Sequence, residues 1–273
     1  MACGRVRKPL DAGWTPLVDG QLENLKVGVI SLAAGQSHAF DTGERECAVV
    51  LVRGHCTIST NDRPDFVAGP RPDPFAHKPS GAFVSRGETV RVIAREDSLV
   101  AVASAPAEKT TANTYLSSDD VRQVERGEGA WARSVRFVFW PDNSEGNMLL
   151  TGETVTPPGH WSTMPPHRHD IYTEGEEMSY EEAYLLQFSR PQGFGLIWQF
   201  DDAGQMDQAF SLRNGDAAYM GEGYHPVSCS PAATLYHLTF MAGPQRLSQA
   251  RLHPDYRFLV EEQGMANPYQ NQK

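Results

Sequence analysis

Short apolar runs rich in β-branched residues recur along this chain at close intervals, each closed off by a cluster of Gly, Asp, Asn or Thr. Leu25 to Leu32, Ala48 to Ser59, Ala82 to Val84, Val90 to Ala94 and Leu99 to Ala103 form one set. A second set comprises Val135 to Phe139, Met148 to Val155, Ala183 to Phe188, Gly195 to Phe200, Ala217 to Met220 and Leu235 to Met241. Turn signals such as Asp202-Ala203-Gly204 and Arg213-Asn214-Gly215-Asp216 separate them. Helical periodicity is scarce, so the rhythm predicts an all-β chain of the sandwich or barrel kind. The patch Gly69-Pro70-Arg71-Pro72-Asp73-Pro74 reads as a loop, because proline cannot donate to a central ladder.

Between the two sets the texture changes. We therefore expect an N-terminal half at residues 1–110, a linker at 111–134 in which a serine or aspartate of Ser117-Ser118-Asp119-Asp120 caps a turn or two of helix, and a C-terminal half at 135–273. The tail from Pro254, ending in Asn267-Pro268-Tyr269-Gln270-Asn271, is expected on the surface. With 273 residues, 40% of them hydrophobic and 21% charged, the chain has the length and composition to bury a core in each half. A formal net charge of −10 argues against nucleic acid or an anionic membrane as partner. The four cysteines form no C-x-x-C pair, and no run approaches the roughly 18 apolar residues of a membrane span. These features predict a cytoplasmic protein with reduced thiols and no membrane partner; self-association into a homo-oligomer stays open.

The stretch Met164-Pro165-Pro166-His167-Arg168-His169-Asp170 carries the clearest chemistry. Two histidines one residue apart on an extended segment point to the same side, as side chains alternate along a strand. Glu182 opens an extended run whose parity mates include Tyr184 and Leu186, and His225 follows a Gly-x-Gly turn. Three neutral imidazoles and a carboxylate suit zinc, manganese, iron, cobalt or nickel, with positions left open for a substrate's oxygens. The halves also overlay at a few landmarks. Glu46 parallels Glu182 and Val84 to Thr89 parallels Met220 to His225, so His38 answers to a ligand histidine and Thr89 stands in the place of His225, leaving a degenerate site in the first half.

The order H-x-H, then Glu, then a Gly-rich turn ending in His resembles the cupin motifs. More specifically, Gly159 to Asp170, Glu181-Glu182-Ala183-Tyr184, Pro191-Gln192-Gly193-Phe194, Gly223-Tyr224-His225-Pro226-Val227 and Met241-Ala242-Gly243-Pro244 resemble the 5-deoxy-glucuronate isomerase family of myo-inositol breakdown. The likeness is dense from Leu150 to Arg246; before it, Arg126-Gly127-Glu128-Gly129 and Arg133 echo the family's linker. The resemblance implies two cupin-like β-barrel halves, a bicupin. It implies metal ligands at His167, His169, Glu182 and His225, and a sugar substrate converted from aldose to ketose.

Candidates for proton transfer are Tyr184, which shares the face of Glu182, and then Tyr224 and His237. The chain departs from the family pattern at Leu185 and Leu186 (Tyr and His), Ile197 and Trp198 (Gln and Arg), Gly221 (Pro) and near Thr239 (Asn). Leu186 and Trp198 are expected on the far wall of the chamber, where the lost arginine would weaken recognition of a carboxylate. Two other readings stay open: an iron dioxygenase of the cupin type, and a sugar-binding cupin without catalysis.

Overall fold

In the computed structural model, which describes residues 3–262, 264–265 and 267–270, the chain is built almost wholly of antiparallel strands. The longest, Arg45–Ser59, runs through 15 residues. Its first part pairs with Gly81–Val84 and Ser98–Pro106, and its last part with Phe66–Arg71 and Thr89–Ala94. The register slips between Leu51 and Arg53 and again between Gly54 and Cys56. Bulges of this kind bend a strand, so one strand serves both walls of the first barrel. The interior there is apolar, with Ile30, Val49, Leu51, Ile58 and Val92 packed around Cys47 and Cys56.

The proline-rich patch is not wholly a loop, because Phe66–Arg71 is a strand. Gly54 pairs with Arg71 and Cys56 with Ala68, so Gly69 and Pro70 fall opposite His55 alone. At such a bulge the ladder asks no N–H of the proline. The stretch before Leu25 also holds two strands, Cys3–Val6 and Gly13–Val18, too short and too interrupted to stand out in the sequence.

In the second half a seven-stranded sheet runs in the order Cys3–Val6, Ala217–Met220, Glu181–Phe188, Leu235–Ala242, Leu149–Thr156, Arg133–Phe139, Arg122–Arg126. It packs against a four-stranded sheet of Trp161–Ser162, Val227–Cys229, Gly195–Phe200 and Asp207–Leu212. Tyr184, Leu186 and Phe188 from the first sheet meet Ile197, Leu212 and Val227 from the second. Residues 111–134 add a strand to each half: Thr114–Leu116 pairs with Gly81–Val84, and Arg122–Arg126 with Arg133–Phe139. Between them Ser117 caps a single turn, Ser118–Asp120. Among the described residues the α-helix Phe258–Glu261 is far too short to cross a membrane, and no other helix is long and apolar enough.

The alternate face of Glu181–Phe188 carries Ala183 and Leu185. With Leu238 and Phe240 they join Val27, Val29, Ala48 and Val50 in one core shared by the two halves. Two carboxylates lock this face reciprocally. Glu46 accepts the backbone N–H groups of Asn147, Met148 and Leu149, and Glu181 accepts those of Glu23, Asn24 and Leu25. The internal overlay is therefore one residue out at its first landmark: Glu46 answers to Glu181, and Cys47 answers to Glu182. The ladders agree, since Cys47 pairs with Val84 and Ser104 where Glu182 pairs with Met220 and Met241.

A third lock is fully buried. Glu153 receives Arg71 from the other half through two hydrogen bonds of 2.9 and 2.8 Å, Tyr236 at 2.7 Å, and Arg136 at 3.4 Å. Burying charges costs several kcal/mol per ion and is offset only while the pairing is complete. Arg71→Met is thus expected to destabilise the chain by about 3–5 kcal/mol, measured as a lower midpoint in urea unfolding.

Candidate metal centre

Residues His167–Arg168 form a short ladder with Arg251–Leu252, and the extended backbone sorts their side chains. His167 and His169 turn inward with ring centroids 6.0 Å apart, while Arg168 turns outward to Asp202 at 2.7 Å and Glu177 at 3.4 Å. Buried Glu177 accepts the N–H groups of Asp170 and Ile171, which pins the loop leading from the histidines back to the sheet. Glu182 lies near the start of a central strand, between Ala217–Met220 and Leu235–Ala242.

His225 enters through a turn at Gly223, whose φ is 75° and whose N–H is held by Asp170 at 2.7 Å. A Cβ there would meet the Phe200 carbonyl oxygen at 2.6 Å, so only glycine fits. Thr163 takes φ 54°, a left-handed conformation costly for a β-branched residue. Its hydroxyl donates to the carbonyl of His225 at 3.0 Å, which ties the strain to the site.

The His225 ring lies 5.1 Å from each of the other two, and all three histidines and Glu182 are buried. Each Nδ1 faces a backbone carbonyl: Pro165 at 3.2 Å for His167, Tyr180 at 3.4 Å for His169 and Gly223 at 3.2 Å for His225. A carbonyl can only accept, so a neutral ring here carries its proton on Nδ1 and turns an Nε2 lone pair to the centre; His169, whose Nε2 is also hydrogen-bonded to the Glu182 carboxylate, needs a proton or a cation on that side as well. One potential ligand atom from each ring lies within 4.8 Å of the others. Glu182 Oε2 is 2.9 Å from His169 Nε2 and 3.0 Å from His225 Nε2, yet the latter contact lacks hydrogen-bond geometry. Acceptors that converge away from water repel unless a cation or proton sits among them. The donor set fits a borderline divalent ion, of the zinc, manganese, iron, cobalt or nickel kind.

Burial pulls the His167 imidazole well below its ordinary value, and His225 and His169 add to the effect. Burial acts in the same direction on His169, but the hydrogen bond and charge of Glu182 outweigh it and raise this group. Glu182 shows the other side of the pair: burial alone would raise it, and His169 and His225 hold it well below the carboxylate range.

Next to these residues a cavity of about 100 Å³ is lined by Tyr184, His237, Thr239, Arg126, Arg133 and Tyr269, among others. The buried rings of Tyr184 and His237 lie 4.7 Å apart on neighbouring strands. Burial, with the charge of Glu182, pushes the Tyr184 phenol well above its usual value. His237 is lowered to about 4, chiefly by burial, and its Nδ1 has no hydrogen-bond partner.

Not every expected residue converges here. Tyr224 points away from the cavity, with its hydroxyl 3.1 Å from Asp202 and its ring against Phe200 and His253. Trp198 is not part of the far wall either. It stacks on Phe200 at 4.0 Å and donates to Asp207 at 2.7 Å, while its neighbour Ile197 faces the barrel interior beside Leu186. The tail, expected on the surface, brings Tyr269 onto His167 with ring centroids 3.6 Å apart; Asn271 lies outside the described residues. Arg126, Arg133 and Tyr269 carry no local signal of a site, because the fold alone gathers them.

The pattern that defines the KduI/IolB family matches residues 15–259. A protein named 5-deoxy-glucuronate isomerase from Geobacillus thermodenitrificans is 31% identical over 254 residues, 93% of this chain and 89% of that one. Its namesake from Geobacillus kaustophilus is 32% identical over 254 residues, with the same coverage. Among solved structures, an IolB-like protein from Salmonella typhimurium superposes with a TM-score of 0.87 at 29% identity, covering 91% of this chain and 96% of that one. An oxalate decarboxylase from Lactobacillus farciminis superposes with a TM-score of 0.63 at 10% identity, covering 96% of this chain and 92% of that one. At that identity the likeness speaks to the two-cupin fold alone.

Protein purified without chelator is expected to carry about one divalent ion per chain. Removal by EDTA should lower its Tm, since an ion that binds only the folded state stabilises it. Glu182→Ala should lose most of the ion in elemental analysis, and its Tm should no longer respond to EDTA.

Proposed function

The chain belongs to the KduI/IolB family, and from that membership we propose that it is a metal-dependent aldose–ketose isomerase acting on a deoxy-uronic acid or a related sugar. The observation that carries the proposal is one cavity lined by Tyr184 and His237 together with His167, His169 and Glu182, with His225 3.0 Å from Glu182 completing the candidate ligand set. The name 5-deoxy-glucuronate isomerase borne by relatives that match most of the chain supports it. A divalent ion held by those four residues supplies Lewis-acid polarisation of a carbonyl and its neighbouring hydroxyl.

The protein's own groups then divide the proton work. An aldose becomes a ketose when a proton leaves C2 and one is delivered to C1, while the C1 oxygen gains a proton and the C2 oxygen loses one. His237 is neutral at neutral pH, and its free Nδ1 can take the C2 proton and return it to C1. Tyr184 keeps its proton under the same conditions, so it donates to the C1 oxygen and recovers a proton from the C2 hydroxyl.

Turnover of a 5-deoxy-uronic acid in heavy water should proceed without oxygen and place deuterium at C1 of the ketose. Turnover that consumes oxygen would favour the dioxygenase reading instead. Tyr184→Phe is expected to lower kcat by about 10²- to 10⁴-fold with metal content unchanged. Full activity in that variant would remove Tyr184 from the mechanism.

A further inference from the structure

Arg133 opens the strand Arg133–Phe139, and its side chain is buried, with 3% of the residue exposed. Nη1 donates to the Trp131 carbonyl at 3.2 Å, and Nη2 to the Met164 carbonyl at 3.0 Å and the Tyr269 hydroxyl at 2.9 Å. The guanidinium also lies over the Trp131 ring at 5.4 Å. Each of these partners is neutral. The contrast with Arg71 and Arg136 is sharp, since both of those reach the carboxylate of Glu153. A buried cation set among neutral acceptors is costly unless an anion joins it.

The surroundings sharpen the point. Arg126 lines the same cavity, with its guanidinium 5.8 Å from the centre of the Tyr269 ring. Tyr269 spans the chamber, its hydroxyl on Arg133 and its ring on His167. One phenol side chain thus measures the separation between the cationic wall and the ligand cluster. An open-chain six-carbon acid is of comparable length, so one end can meet the guanidiniums while the other reaches His167, His169, Glu182 and His225.

Resting on the isomerase reading above, we propose that Arg133, flanked by Arg126 and oriented by Tyr269, is the carboxylate anchor that selects a sugar acid over a neutral sugar. Both N–H groups of Nη2 are engaged, so a carboxylate would meet the remaining Nη1 N–H with the charge of Arg126 beside it, a charge-assisted contact that a neutral hydroxymethyl group cannot match.

The test compares binding of gluconate with that of sorbitol by calorimetry, which needs no turnover. The metal-loaded protein should bind gluconate about 10- to 100-fold more tightly, as a charge-assisted contact implies. Arg133→Met should erase that preference by lowering gluconate affinity more than sorbitol affinity, and Arg133→Lys should restore part of it. Tyr269→Phe keeps the ring, so it should reduce the preference less than Arg133→Met does. If Arg133→Met does not fold, Arg133→Lys and Tyr269→Phe decide the matter, and an undiminished preference in both overturns the anchor. Equal binding of the two ligands by the unaltered protein, or an intact preference in Arg133→Met, also overturns it. The isomerase reading fails separately, if a protein with the expected preference turns over no deoxy-uronic acid.

Discussion

A carboxylate buried among three imidazoles is the constraint around which the second barrel is arranged. Desolvating Glu182 by itself would drive it to protonate, so its charge survives only while cationic or proton-bearing partners face it. The fold meets that condition by placing Glu182 on a strand with a neighbour on each side, which leaves it little freedom to move. The histidines come from less regular segments and are fixed by other means. Their Nδ1 atoms rest on backbone carbonyls, Gly223 turns the chain into His225, and Thr163 accepts a strained conformation while bonded to the His225 carbonyl. Strain retained beside a cluster of lone pairs is strain that the surrounding structure holds in place.

The first barrel has the same ladder without that demand. Cys47 occupies the position matching Glu182, and the space around it is filled by Ile30, Val49, Leu51 and Val84. Burial pushes the Cys47 thiol up to about 12, so it remains neutral and inert. What this half contributes is rigidity. Glu46, Glu181 and the Arg71–Glu153 pair tie backbone and side chains across the shared core. Glu153 and its neighbour Thr154 also line the cavity, so the lock between halves is continuous with the chamber wall.

What the sequence disclosed follows from the range over which each signal acts. Spacing of one residue in His167-Arg168-His169 and the turn before His225 are local patterns, and the structure places those residues together. Most strands were legible because alternation and turn residues are equally local. The overlay of the halves is one residue out because Glu46 resembles the ligand position Glu182, whereas its carboxylate, like that of Glu181, is bound to backbone N–H groups more than a hundred residues away. Trp198 lies away from the chamber where the sequence predicts it on the wall, because a strand's parity shows only which residues share a face, not which face is inside. Arg133 and Tyr269 stand 136 residues apart in sequence, and no short pattern joins them.

The distribution of charge gives the chamber its direction. The chain as a whole carries a formal charge of −10, which repels a diffusing sugar acid. Within the cavity the order is reversed, with the guanidiniums of Arg126 and Arg133 at one wall and the imidazoles and carboxylate that could hold a cation at the other. Screening weakens the outer field over roughly 8 Å at physiological ionic strength, whereas the buried guanidinium of Arg133 is screened far less. A carboxylate that crosses the surface therefore meets its strongest attraction inside. In the proposed isomerisation such an anchor would turn the reacting carbons toward Tyr184 and His237, so position would follow from electrostatics before any bond is made.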